Sequence, residues 1–161
     1  MKRESIASFQ VMGPACRTCN ADEFDPQGGR IGPLWQRFAA SGLATAANHS
    51  VSQPSEVFGV YFDYADRHLA EYSVLAGVKL LEGAAPAQAE ESALEHRRVL
   101  IPASDYLVFD CQGPMPAALI DGWRKVWQYF EQPDAEARAY EHDFERYLGP
   151  ESVQICIGLR R

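Results

Sequence analysis

Apolar positions recur along this chain with two periods, one helical and one of alternating strands. Over residues 31–42 (IGPLWQRFAASG), Ile31, Leu34, Trp35 and Phe38 fall at i, i+3, i+4 and i+7, which puts them on one helix face. Pro33 suits the first turn and Gly42 the stop. A second helix is predicted over residues 116–132 (PAALIDGWRKVWQYFEQ). Leu119, Trp123, Val126, Trp127 and Phe130 share a face there, and Asp121, Arg124, Lys125 and Gln128 lie opposite.

The remaining apolar runs read as strands. Residues 5–18 (SIASFQVMGPACRT) alternate roughly, with a bulge or kink predicted at Gly13-Pro14. EVFGVYFDY (56–64) and AEYSVLAGVKLL (70–81) are rich in Val, Tyr and Phe, and the ADRHL between them is short enough for a hairpin. Residues 97–113 (RRVLIPASDYLVFDCQG) form one long strand or two broken at Pro102-Ala103. SVQICIGLR (152–160) closes the chain with Val153, Ile155, Ile157 and Leu159 on one side. NADEFDPQGGR (20–30) and residues 44–55 read as loops, and residues 82–97 as loop or weak helix.

The order strand, helix, strand, strand thus occurs twice. LWQRF at 34–38 is echoed by VWQYF at 126–130, 92 residues on, and FGVY at 58–61 by FERY at 144–147, 86 residues on. Similar offsets in the same order favour an internal repeat. Two βαββ modules make an α+β fold, an antiparallel sheet with two main helices packed on one face. A cleft between the helices, floored by sheet, is a natural pocket.

Composition narrows the ligand class. With 161 residues the chain suits one domain, and 47% hydrophobic against 23% charged residues is ordinary for a globular protein. A net charge of −7 opposes direct nucleic-acid binding, which needs a clustered basic surface. The chain has no 18-residue apolar run and no secretory leader pattern, so no membrane association and a cytoplasmic location are expected.

The chemistry-bearing residues are few. Cys16 and Cys19 have redox-pair spacing, but the motif ends a strand and runs into a loop, so structural thiols are expected, as for Cys111 and Cys156 in their apolar runs. His49, His68, His96 and His142 lack metal spacing and read as surface residues, and no metal or cofactor is expected. Glu145 stands between Phe144 and Tyr147. If FERY is a strand, Glu145 and Tyr147 point to one face and Phe144 and Arg146 to the other. Two readings stay open: a solvated glutamate paired to Arg146 or Arg124, or a carboxylate in an apolar cavity that recruits a cation. The Trp and Tyr side chains on the facing elements are either core or the walls of a cation site.

IGPLWQRF, VFGVYFDY, EYSVLAGVKL, VLIPASDYLVFDCQG, GWRKVWQYF and FERYLG with VQICIGL together resemble the GyrI-like small-molecule-binding family. It includes the effector-binding domains of AraC-type and MerR-type transcription activators. The resemblance runs from about residue 5 to the C-terminus; IPASDY and F-E-x-Y are its most specific pieces. It implies one effector-binding domain over 1–161, with pseudo-twofold, SHS2-like βαββ halves at about 1–85 and 95–161 and a pocket at their junction. It further implies that Glu145 faces the pocket and that Trp35, Tyr61, Tyr106, Trp123 and Tyr147 form its walls. No room for a helix-turn-helix domain is evident, so a stand-alone member is expected.

The leading expectation is that the chain binds a lipophilic, cationic small molecule, for sensing or sequestration. A second is a hydrolase of electrophilic, cyclopropane-type natural products in which Glu145 activates water. A third is a gyrase-inhibitor-like protein, with gyrase or a transcription regulator as partner.

Overall fold

The computed structural model describes residues 1–25, 27–45, 54–82 and 96–160. The amino-terminal apolar run forms three strands instead of one: β1 (Lys2–Ile6), β2 (Phe9–Gly13) and β3 (Ala15–Thr18). The break between β2 and β3 falls at the expected Gly13-Pro14 kink. A Cβ on Gly13 would fall onto the Ala76 carbonyl oxygen, and Pro14, which has no N–H, accepts a bond from Ala76 N at 3.2 Å.

A helix α1 (Asn20–Phe24) then stands where a loop is expected; five residues are too few for a helical period to register. Helix α2 (Ile31–Ser41) follows, stopped by Gly42 at φ 70° in the left-handed conformation that glycine adopts freely. Strands β4 (Val57–Phe62) and β5 (Tyr72–Lys79) pair antiparallel, as the hairpin reading requires. The long run divides at Pro102-Ala103 into β6 (Arg97–Ile101) and β7 (Ser104–Gln112). Helix α3 (Ala117–Phe130) and strands β8 (His142–Gly149) and β9 (Ser152–Gly158) complete the chain. Most of the loop expected at 44–55 and of the ambiguous stretch at 82–97 lies outside the described residues.

All nine strands join one antiparallel sheet in the order β1-β7-β9-β8-β4-β5-β2-β6, with β3 also on β5. Each half lends its leading strand to the other: β1 pairs with β7, and β6 with β2. The links Ala7-Ser8 and Pro102-Ala103 each span at most about 11 Å, yet join strands near opposite ends of the sheet. The sheet must therefore curl. It closes over its helix-free face, where Val11, Phe58, Ile101, Tyr106, Val108 and Phe144 share one core.

Helices α2 and α3 pack on the other face. Leu34 and Phe38 of α2 meet Val74, Ala76 and Val78 of β5, while α3 covers Leu107, Phe109, Ile155 and Ile157. Val153, Ile155, Ile157 and Leu159 do share one side. The fully covered positions are Leu34 and Phe38 in α2 and Gly122 and Val126 in α3, 88 residues apart in each case. The LWQRF/VWQYF echo, at 92, is therefore one helical turn out of structural step; tryptophan recurs in both faces, and similarity alone cannot choose the turn.

Gly122 lets α3 approach the sheet, since a Cβ there would land on Cys111 Sγ and crowd Ile155. Helix propensity favours alanine by about 1 kcal/mol, but overpacking costs about 1–3 kcal/mol in a filled core. Gly122→Ala is therefore expected to lower stability by up to roughly 2 kcal/mol, read as a lower urea midpoint at unchanged slope.

Candidate ligand-binding site

Strands β4 and β8 run antiparallel through the middle of the sheet, and their register sets Gly59 opposite Glu145. These two are also equivalent positions of the FGVY/FERY echo. A residue that faces its own counterpart marks where a twofold axis crosses the sheet. Perfect symmetry would set two like side chains against each other there. Instead one half supplies a glutamate and the other a glycine: a Cβ on Gly59 would stand 2.9 Å from Glu145 Oε2 and 3.1 Å from the Trp35 ring.

Period-two alternation points Glu145 to the helix side and Phe144 to the opposite core, as the strand reading requires. The alternative of a solvated glutamate is overturned. Glu145 is 1% exposed, Arg146 bonds Gln154 and Glu4, and Arg124 bonds Asp121. Oε1 of Glu145 accepts from Tyr61 Oη at 2.7 Å and Trp123 Nε1 at 2.8 Å, and Oε2 accepts from Tyr147 Oη at 2.7 Å. Burial raises the Glu145 carboxyl above the ordinary range, and the Trp123, Tyr147 and Tyr61 donors offset this in part.

The surrounding rings repeat the pseudo-symmetry. Trp35 meets Tyr147 edge-on with centroids 5.1 Å apart and planes at 66°; Trp123 meets Tyr61 at 5.1 Å and 68°. Each helix thus contributes one tryptophan and each central strand one tyrosine.

A cavity of about 430 Å³ lies beside this cluster, within the size range of small-molecule sites. Tyr61 and Trp123 line it, with Tyr64, Tyr72, Trp127 and Arg138. Glu145 is bonded to Tyr61 and Trp123 of this wall, while Glu145, Trp35 and Tyr147 are not themselves part of it. Tyr106 is a correction: its ring packs on Phe144 at 5.0 Å in the core of the opposite face, because residue 106 has the wrong parity in β7 to reach the helix side.

Tyr64 and Arg138 were not foreseen. Arg138 forms a buried ion pair with Asp143, and Tyr64 Oη donates to the same Asp143 oxygen at 2.7 Å. Strand alternation would have placed Asp143 beside Glu145, two residues along the same face. Arg138 lies in an irregular segment with no period to reveal it.

Several polar residues are elsewhere than expected. His142 is half-buried: it opens β8, its ring stacks on Phe62, its buried Nδ1 has no partner among the described residues, and burial lowers its pKa. His68 lines the cavity and its Nδ1 lies 3.2 Å from Tyr140 Oη. His49 lies outside the described residues. The Cys16 and Cys19 motif meets a helix, since Cys19 caps α1. All four cysteines are free, and burial pushes the Cys16 thiol up, the reverse of what a redox nucleophile needs. Among the described residues no group of three or more His, Cys, Asp or Glu could hold a metal ion, and no helix is long and apolar enough to cross a membrane.

A curled antiparallel sheet with two helices on one face is the architecture of the GyrI-like fold. The profile of the Cass2 family, integron-associated effector binding proteins, matches residues 4–157, and the chain belongs to that family. The chain is 31% identical to an integron cassette protein from the mobile metagenome of Vibrio cholerae, whose crystal structure it matches at a TM-score of 0.80 over 99% of this chain and 95% of that one. SAV2435 bound to tetraphenylphosphonium has the same fold at 18% identity and a TM-score of 0.71, covering 99% and 93%. The EcmrR C-terminal domain shares it at 15% identity and 0.56, covering 99% and 96%. No curated protein sequence matches the chain.

Proposed function

We propose that this protein binds a lipophilic, cationic small molecule against Trp123 and Tyr61, with Glu145, bonded to both, as the counter-charge, for sensing or sequestration. One observation carries the reading: Glu145 is buried on three neutral donors and, among the described residues, has no ion-pair partner. The adjacent cavity is walled with rings, and the two arginines that also line it are paired with other carboxylates, Arg124 with Asp121 and Arg138 with Asp143. A cation over those rings would gain about 0.5–2 kcal/mol from each face. The carboxylate at roughly 7 Å adds about 2 kcal/mol at an effective dielectric near 20. The ligand carried by SAV2435 has this chemistry, which supports the same class here.

Hydrolysis is less favoured, because both Glu145 oxygens are engaged by Tyr61, Trp123 and Tyr147. EcmrR, whose C-terminal domain shares this fold, occurs in a complex with DNA, which supports sensing as the use of such binding.

Tetraphenylphosphonium titrated into the protein, followed by tryptophan fluorescence, tests the reading. Micromolar saturation is expected, with Trp123 as a reporter beside the site. Absence of saturation sets the reading aside.

Acidity supplies a second check. A permanent cation favours ionised Glu145, so the bound carboxyl titrates lower than the free one. Affinity is expected to hold steady above the raised free-state pKa and to fall as pH drops through it. Without ligand the sign reverses: the raised pKa means that stability from Glu145 is present at acid pH and lost as pH rises through the folded value. The thermal shift given by the cation should therefore grow with pH across this window. A pH-independent shift counts against Glu145 as the counter-charge.

A further inference from the structure

The charged side chains that line the cavity are Glu23, engaged by Thr18 and by the N–H groups of Arg30 and Ile31, Arg124, paired with Asp121, and Arg138. Arg138 is 8% exposed. Its Nε and Nη2 donate to Asp143 Oδ2 at 3.2 and 2.6 Å, and Nη2 also reaches Tyr64 Oη at 3.3 Å. Nη1 has no hydrogen-bond partner among the described residues, whereas the single unpartnered, fully buried side-chain nitrogen or oxygen there is His142 Nδ1. Nη1 thus keeps some contact with solvent, and the little surface that Arg138 shows faces the cavity it lines.

Asp143 cannot turn to serve that N–H. Its Oδ2 takes Arg138 and Tyr64, and its Oδ1 takes the Gly158 N–H at 2.9 Å. The guanidinium carbon also lies over the Tyr140 ring, 4.5 Å from its centroid. A rigid, nearly buried guanidinium with a spare donor favours an acceptor, and a carboxylate most of all. Asp143 and Glu145 lie two residues apart on one face of β8, so the two polar positions are separated by about 7 Å.

We propose that Arg138 is a second anchor of the cavity and that the ligand is bifunctional, a cationic aromatic body over Trp123 and Tyr61 that carries a carboxylate for Arg138 Nη1. This rests on the reading that the cavity binds cations, and it makes the opposite prediction from that reading taken alone. A site with Glu145 as its single electrostatic feature prefers the ligand of greater positive charge. A site with both groups prefers the zwitterion.

The experiment compares (3-carboxypropyl)triphenylphosphonium with its methyl ester, which share one aromatic cation and differ in the carboxylate. Fluorescence or calorimetric titration at neutral pH is expected to show the acid bound about 10-fold more tightly than the ester. Removing Arg138 alone would leave Asp143 buried without its cation, so the paired variant Arg138→Met/Asp143→Asn is used, in which the preference should vanish or invert. Equal binding of the two, tighter binding of the ester, or a preference for the acid that survives in the paired variant overturns the second anchor and leaves the cation site standing. Binding of neither compound removes the cation site and this inference with it.

Discussion

Glu145→Gln is expected to weaken tetraphenylphosphonium binding by roughly 1–3 kcal/mol, on the order of 5- to 150-fold, while the unliganded protein stays folded. Glutamine matches the shape of the carboxylate. Its amide oxygen can accept from Tyr61 and Trp123 where Oε1 does now, and its amide nitrogen can donate to Tyr147 once that hydroxyl turns. Only the O–H of the half-buried Tyr147 loses its acceptor, and the cost of burying a charge disappears. Stability near neutral pH should therefore hold or rise while affinity falls. These opposite signs separate a counter-charge from a structural residue, whose loss would lower both together. Equal affinity of the variant and the parent in a fluorescence titration would end the proposed role of Glu145.

The largest stability effect is expected at the neighbouring ion pair. Arg138 and Asp143 are both buried, with 2.6 Å between Nη2 and Oδ2. Burial alone would lower the Arg138 pKa, but the Asp143 charge and hydrogen bond outweigh it and raise it. Arg138→Met leaves a buried carboxylate with Tyr64 and the Gly158 N–H as its donors. Breaking such a pair costs about 3–5 kcal/mol, a fall in Tm of about 10 °C for a domain of this size. Adding Asp143→Asn removes the stranded charge: the Asn oxygen can still take the Gly158 N–H and its amide can donate to Tyr64. The double variant should recover most of the loss in a thermal melt. Equal Tm values for the single and double variants would show that Arg138 contributes by packing on Tyr140 and Tyr64 and not by its charge.

Local pattern reached a good part of this molecule. Helical spacing marked α2 and α3 because each buries one continuous stripe, richness in Val, Tyr and Phe marked β4 and β5 because both of their faces are covered, and the apolar spacing of Val153, Ile155, Ile157 and Leu159 marked β9. Strand alternation placed Glu145 and Tyr147 opposite Phe144. The five-residue α1 escaped, being shorter than two turns, and so did the division of the first run into β1, β2 and β3, which depends on partners far along the chain.

The site divides along the same line. The residues themselves determined two similar halves, each with a tryptophan-bearing helix and a tyrosine-bearing strand, since periodicity and repetition are properties of sequence; that these meet at a central acid was implied by the family resemblance alone. Tertiary structure alone decided that Gly59 yields its space to Glu145, that Tyr106 turns into the opposite core, and that Arg138 crosses to Asp143 at the cavity wall. Those outcomes follow from strand register and from the curl that the exchanged strands β1 and β6 impose. Register and curl are set by contacts between distant segments, and no stretch of chain encodes such contacts by its own spacing.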